Sequence, residues 1–260
     1  MHATELSRQM SSHVEIIVAM GGDGTLNEVA AGILGSTASL AIFPIGSGND
    51  FNRIIGIPQK MNLAIDTIIS GSKEFIDLGR VAITNSHGSI TVKYFINTLG
   101  IGIDAEIAKE TKRIKYLRGL PLYIVAALKA LSSYSPNEYV IRDGEKTIYE
   151  KAYLLSVGNG VYEGGGFKML PGANPRDSKL MVCLIRKMSV WNAVPLIPKI
   201  INGTHGGHKL ITMWESQKLV ISSIQPFILH GDGEIFEENA TNVTIDLIPN
   251  AISLIVPKKN

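Results

Sequence analysis

Val14-Glu15-Ile16-Ile17-Val18-Ala19-Met20-Gly21-Gly22-Asp23-Gly24-Thr25-Leu26-Asn27-Glu28-Val29 is the stretch from which the fold is read. A run of β-branched residues meets a glycine-rich turn, after which Leu26, Val29, Ala30 and Ile33 recur at i, i+3, i+4 and i+7. That pattern predicts a strand, a tight loop and an amphipathic helix. Gly21, Gly22 and Gly24 let the backbone approach a bulky anion, and the helix start aims unpaired N–H groups and its positive dipole end at the same place. The helix terminus alone contributes about 0.3–1 kcal/mol of anion preference, so Mg²⁺ or cationic partners have to supply the rest. Glycine turns of this kind also occur in α/β proteins that bind no nucleotide. Asp23 narrows the reading, because a carboxylate amid an anion-binding turn repels phosphate unless it holds a metal ion or a water, or takes a proton.

The 260 residues are 45% hydrophobic and 18% charged, enough for one or two packed cores and unlike a disordered chain. A net charge of +2 gives no dense basic face, which excludes nucleic acid as the expected partner. Cys183 is the single cysteine, so an intramolecular disulfide and a cysteine-based zinc site are excluded, as suits a reducing cytoplasm. It lies in the apolar run 180–185 and reads as a core thiol. No uninterrupted apolar segment of about 18 residues appears, and Met1-His2-Ala3-Thr4-Glu5 has no signal-peptide pattern; the expectation is an unexported, cytoplasmic protein. Residues 1–12 read as a helix leading straight into the strand at Val14, so the α/β unit begins in mid-sheet.

A second strand, Leu40-Ala41-Ile42-Phe43, runs into Pro44-Ile45-Gly46-Ser47-Gly48-Asn49-Asp50-Phe51. If the two strands are parallel, the right-handed crossover sets both glycine turns side by side at the carboxyl ends, making one pocket. Asn49 and Asp50 also suit the cap of a following helix. A short helix is expected over 63–69 and a strand over 74–79, where the domain junction is placed. Beyond it, segments 80–84, 90–97, 138–142, 146–157, 179–185, 218–223, 227–230, 242–247 and 252–256 are short, β-rich and bounded by turn residues, as in an antiparallel sandwich.

Gly21-Gly22-Asp23-Gly24-Thr25-Leu26-Asn27-Glu28-Val29 followed by Gly46-Ser47-Gly48-Asn49-Asp50-Phe51 resembles the diacylglycerol kinase catalytic domain, most closely the bacterial lipid kinases of that family. The first motif is shared with NAD kinases. Asn97-Thr98-Leu99-Gly100-Ile101-Gly102-Ile103-Asp104-Ala105 and Gly158-Asn159-Gly160-Val161-Tyr162-Glu163-Gly164-Gly165-Gly166 are similar to the family's further glycine-rich segments. The resemblance implies an α/β nucleotide-binding domain over 1–79, N-terminally incomplete, and a mostly antiparallel β-sandwich lipid domain over 80–260, whose last strand can return to the first. The active site is expected between them.

What the resemblance implies for the site is equally specific. Gly21, Gly22, Asp23, Gly24, Thr25, Leu26 and Asn27 wrap the ATP phosphates, Ser47 keeps the hydroxyl of the threonine usual there, and Asp23 positions Mg²⁺ or its water. Glu234, in Ile228-Leu229-His230-Gly231-Asp232-Gly233-Glu234, matches the acid assigned as general base; on its own Asp-Gly-Glu reads as a hairpin turn. The segment 171–180 is similar to one that holds a structural Mg²⁺, with Asp177, Asn174 and the Lys179 backbone carbonyl as ligands. Here Asn174 is neutral and Ser178 replaces the usual glycine.

Lys109, Lys112, Arg113, Lys115 and Arg118 precede the apolar run 120–131, which suits either peripheral contact with an anionic membrane or a solvated helix followed by a core helix. His205 and His208 flank a Gly-Gly without a third ligand in view. The expected activity is ATP-dependent phosphorylation of a lipid hydroxyl, diacylglycerol first. A kinase for a sphingoid base, phosphatidylglycerol or NAD stays open, as does a catalytically impaired lipid-binding homologue; oligomeric state, a homodimer included, is not readable. Family members open with a strand ending in Asn-Pro-x-x-Gly, then a helix and a strand. The chain starts after these, so weak ATP binding, little kinase activity, a tendency to aggregate and roughly 35 to 45 upstream residues are expected of it.

Overall fold

Ile16, Val18 and Met20 alternate with Ile17 and Ala19, and the period of two sorts them onto opposite faces of a strand. The structure is a computed structural model describing residues 2–46, 48–117 and 120–258. Its first part runs α1 (His2–Met10), β1 (Ile16–Gly21), α2 (Asp23–Ile33), β2 (Ser39–Pro44), α3 (Asp50–Ile55) and α4 (Met61–Ser70). Ala19 is buried and Ile17 packs on the same core, whereas Ile16, Val18 and Met20 are 37%, 39% and 59% exposed. Among the described residues β1 pairs with β2 alone, so it is an edge strand, and one of its faces carries exposed apolar side chains.

β1 and β2 are parallel, in register from Ile16↔Ser39 to Gly21↔Pro44. The crossover helix α2 buries Leu26, Val29, Ala30 and Ile33, the i, i+3, i+4, i+7 stripe of the sequence. Burying a side chain of that size contributes about 1.5–3 kcal/mol. The consequence for function is positional: both glycine turns leave the sheet at adjacent strand ends.

The chain continues through β3 (Ser72–Asn85), β4 (Ile90–Phe95), β5 (Thr98–Gly102), α5 (Ile103–Arg113), α6 (Leu120–Ser133), β6 (Asn137–Asp143) and β7 (Lys146–Gly158). It ends with β8 (Leu180–Arg186), α7 (Val190–Ala193), α8 (Leu196–Asn202), β9 (Ile211–Ser216), β10 (Lys218–Gly231) and β11 (Glu234–Val256). Sequence segments 74–79 and 80–84 are one strand, β3. Likewise 218–223 and 227–230 are one strand, β10, and 242–247 and 252–256 belong to β11. Register shifts between Ser222 and Phe227, and between Ile248 and Ile252, break the alternation that marks a continuous strand.

β3 and β11 are antiparallel from Ala240↔Asn85 to Val256↔Ser72 and carry the chain from one core to the next. Ile76 and Leu78 pack with Leu40, Ile252 and Leu254 in the α/β core, while Val81 and Ile83 pack with Val243 and Ile245 in the sandwich core. Gly79, between them, lies opposite Phe95, whose ring occupies the space a side chain at 79 would need. β11 also runs parallel to β2 at Leu254↔Leu40. In the sandwich β10, β5, β7, β8 and β9 follow one another, with β6 bridging β7 and β10. A third core cluster joins Ile103, Ala130, Tyr153, Leu154, Cys183 and Leu196, bringing the helices α5 to α8 onto the sandwich.

Candidate functional site

The two glycine turns touch. Ile45 N–H donates to Gly21 O at 3.3 Å, and a Cβ at Gly46 would collide with the Cα of Gly22. Gly22, Asp23, Gly24, Gly46, Gly48 and Asp50 line one end of a cavity of about 490 Å³. With no side chains at four of those six positions, the wall there is backbone, as close contact with a phosphate chain requires.

Asp23 is used in a way the sequence did not suggest: its Oδ2 and Oδ1 accept the Asp50 and Phe51 amides, both at 3.3 Å, at the start of α3. Thr25 packs beneath Gly21. Leu26 is in the α/β core, and buried Asn27 turns its Nδ2 to Tyr94 O at 3.0 Å. Of the residues expected to wrap phosphates, then, Gly22, Asp23 and Gly24 face the cavity while Leu26 and Asn27 support its floor. Ser47 lies outside the described residues. Asn49 takes a left-handed backbone, φ 52°, and its Nδ2 donates to Gly46 O at 2.6 Å, fixing the second turn.

Asp50 joins the two halves of the chain. Its Oδ2 accepts the Gly165 amide at 2.7 Å and its Oδ1 lies 3.4 Å from Arg53 Nη1. Burial raises its pKa, and the Gly165 amide works against that shift. Asp232 does comparable work between β4 and β10. It accepts the amides of Ile96 at 2.8 Å, Asn97 at 3.0 Å and Thr98 at 2.9 Å. Burial pushes its pKa up to about 7 against those three amides, with Asp23 adding to the rise.

Asp232 and Gly233, with φ of 51° and 84°, form the tight turn between β10 and β11, a pair of positive φ angles that asparagine, aspartate and glycine tolerate best. The turn sends Glu234 back over the phosphate side: a Cβ at Gly24 would lie 3.2 Å from Glu234 Oε1. Glu234 is exposed. Asp232 has three amides on its oxygens, whereas Glu234 stands free beside the glycine turn.

The opposite end of the cavity is apolar. Ile107 of α5, Tyr123, Ile124, Ala127, Leu128 and Leu131 of α6, and Leu196, Ile197 and Ile200 of α8 line it. The apolar face of α6 is therefore turned inward to the cavity. On α5, Lys109 pairs with Glu106 at 3.3 Å and Arg113 with Glu110; Lys115 is exposed, and Arg118 and the Lys112 side chain lie outside the described residues.

Asn174 Oδ1 accepts the Arg176 amide at 3.2 Å and Asp177 Oδ1 the Lys179 amide at 3.0 Å, while Lys179 Nζ pairs with Glu215 at 2.6 Å. A hard divalent cation asks for several charged oxygens. Asp177 brings the single carboxylate of the three, and no chemistry is built on this loop. The loop is anchored by a residue the sequence reading passed over. Asp77, 1% exposed, accepts the Ser178 amide at 2.7 Å and the Asn250 amide at 2.9 Å, and its own N–H donates to Pro175 O at 2.8 Å. His205 is fully buried with Nε2 3.1 Å from Met169 O, and His208 Nδ1 accepts the Leu210 amide at 3.3 Å; the two have separate partners.

Comparison with known proteins places this architecture. Residues 1–81 match the model of the diacylglycerol kinase catalytic domain, and residues 97–256, more than half of the chain, match that of the YegS C-terminal NAD kinase beta sandwich-like domain. A diacylglycerol kinase of Staphylococcus saprophyticus is 28% identical, over 89% of this chain and 74% of its own length. A Yersinia enterocolitica protein named "Probable lipid kinase YegS-like" is 30% identical, over 94% of this chain and 79% of its own. Among solved structures, a diacylglycerol kinase from Bacillus anthracis superposes with a TM-score of 0.71 at 22% identity, over 98% of this chain and 80% of that one. Yeast NADH kinase superposes with a TM-score of 0.56 at 8% identity, over 97% and 64%; these two likenesses speak for the fold. With both family models matched in order and their shared cavity assembled from both, the chain belongs to the diacylglycerol kinase and YegS-like family of lipid kinases.

Proposed function

We infer that the chain transfers the γ-phosphoryl group of ATP to a lipid hydroxyl, with diacylglycerol as acceptor and phosphatidic acid as product. The observation carrying this reading is the cavity's two-ended chemistry, a backbone-walled recess with carboxylates at one end and a long apolar wall at the other. A phosphate chain suits the first and an acyl chain the second. NAD, polar throughout, has no use for the wall built by α5, α6 and α8.

Phosphoryl transfer asks mainly for positioning and charge neutralisation. Gly22, Gly24, Gly46 and Gly48 would hold the phosphates by backbone. Asp23 and Asp50 are the carboxylates that would hold Mg²⁺, which neutralises charge on the transferred group. Glu234 Oε1, beside Gly24, would take the proton from the acceptor hydroxyl, a role typically worth 10²–10⁴-fold. The lipid would reach the cavity from a bilayer surface, where exposed Trp191, next to the cavity-lining Ala193, suits the headgroup layer.

Radiolabelled ATP and Mg²⁺ offered with diacylglycerol, a sphingoid base, phosphatidylglycerol and NAD in parallel tests the reading. Label is expected in phosphatidic acid. Label in NADP alone, or in none of the four acceptors while ATP binds, would overturn it.

A further inference from the structure

We propose that Asp104, Glu163 and His230 form a binding site for a divalent transition-metal ion on the wall of the same cavity. The three residues come from separate elements: the first turn of α5, the loop after β7 and the end of β10. His230 Nε2 lies 3.3 Å from Asp104 Oδ2 and 3.9 Å from Glu163 Oε1, and their ligand atoms all fall within 4.8 Å of one another. All three line the cavity.

The cluster's own hydrogen bonding is unfinished. His230 and Glu163 side chains are 12% and 14% exposed; His230 Nε2 has Asp104 Oδ2 as its ion-pair partner at 3.3 Å, and His230 Nδ1 is a buried atom without a hydrogen-bond partner. Buried polar atoms are otherwise almost always satisfied. One ion between Oδ2, Oε1 and Nε2 would take the place of the proton between Asp104 and His230 and bring Glu163 to the same centre. Ligand atoms about 2.0–2.2 Å from a tetrahedral ion stand about 3.3–3.6 Å apart; the Asp104 to His230 separation has that value and the Glu163 to His230 separation is a few tenths longer.

Two further features suit a built site. Gly100 pairs with His230 across β5 and β10, and a Cβ there would collide with both His230 Nε2 and Asp104 Oδ2, so the glycine keeps the space open. Glu163 Oε2 accepts the Ser156 hydroxyl at 2.9 Å, which orients the carboxylate and leaves Oε1 to the ion, as outer partners do in metal sites. Two carboxylates and a neutral imidazole balance a 2+ charge, and the imidazole favours Zn²⁺, Mn²⁺, Fe²⁺ or Co²⁺ over Mg²⁺ and Ca²⁺. Three protein ligands leave a coordination position open to the cavity, where an oxygen of a bound molecule can enter. The assignment holds whichever acceptor the enzyme uses.

The test is Co²⁺ titration of the full chain after chelator treatment, read by visible absorption and calorimetry. One ion per chain is expected, with tetrahedral or five-coordinate absorption and displacement by Zn²⁺ but not by Mg²⁺. His230→Gln and Asp104→Asn should each weaken binding at least about tenfold, whereas Asp23→Asn, in the glycine turn, should leave it unchanged. Equal binding by both cluster variants, or loss on Asp23→Asn instead, would overturn the proposal. Should the variants not fold, wild-type protein decides: substoichiometric Mn²⁺ should broaden the imidazole signals of His230 before those of the other five histidines. Broadening that spares His230 would overturn it.

Discussion

Asp50 Oδ2 accepts the Gly165 amide at 2.7 Å, a bond that ties the second glycine turn to the glycine-rich loop of the sandwich. Asp50→Ala leaves that amide without its acceptor. Losing a hydrogen bond to a charged group costs about 1.5–3 kcal/mol. A lowered urea midpoint together with at least a tenfold lower kcat is expected. An unchanged kcat in a folded variant would show that neither the tie between the two loops nor a metal held by Asp50 matters to turnover.

Glu234→Gln keeps the shape beside Gly24 and removes the proton acceptor. Turnover should fall by about 10²-fold or more with ATP affinity retained. Steady-state kinetics over the ATP range checks both halves. Retention of half the wild-type kcat would move the base elsewhere.

Asp77→Ala strips two part-buried amides, those of Ser178 and Asn250, of their buried acceptor. At about 1.5–3 kcal/mol for each such bond, the loss of stability should reach about 3 kcal/mol or more. Equilibrium unfolding in urea measures it directly. A loss under about 1 kcal/mol would mean the loop is held by other contacts.

His205 predicts an acid-side weakness. Burial holds its pKa below the ordinary 6.5, so the folded ring stays neutral while the unfolded ring gains a proton. The contribution is fully present above pH 6.5 and is lost as pH falls below it. The slope approaches about 1.4 kcal/mol per pH unit. His205→Gln should flatten the stability profile on the acid side of pH 6.5; parallel profiles for the two proteins would refute the assignment.

Trp191 is 86% exposed on α7. If lipid enters from a bilayer, Trp191→Ser should reduce co-sedimentation with anionic vesicles several-fold while leaving the folded spectrum intact. Equal sedimentation would detach this face from the membrane.

What the sequence made legible was whatever a local period encodes. The first strand follows from its β-branched run and the stripe on α2 from its spacing, whereas the parallel pairing on which the meeting of the two glycine turns depends was a condition that the β1–β2 register meets. Segment 97–105 was read only as glycine-rich, and it contains a fully buried strand, β5, whose Gly100 leaves room for His230. Nothing within five residues announces a neighbour 130 positions away. The same holds for Asp77, Asp104, Glu163 and Asp232. Each is an ordinary acidic residue in its own segment, and only the antiparallel pairing of β5 with β7 and β10 brings three of them to one cavity. Strand β9 and helices α7 and α8 escaped notice because each is short and stands on the apolar cluster beside α6 rather than on an alternating face of its own.

β3 and β11 act as two continuous beams. They enter both cores with register shifts only between Ala240 and Asn242 and near Asn250, and at the second bend Asp77 holds the Asn250 amide. A molecule framed in this way has no free joint between its halves, so opening and closing like a clamshell is denied to it. Traffic in and out of the cavity then falls to the segments that no beam braces, α5 to α8. A cross-link between α6 and α8 should therefore trap a lipid inside, whereas one between β3 and β11 should leave exchange untouched.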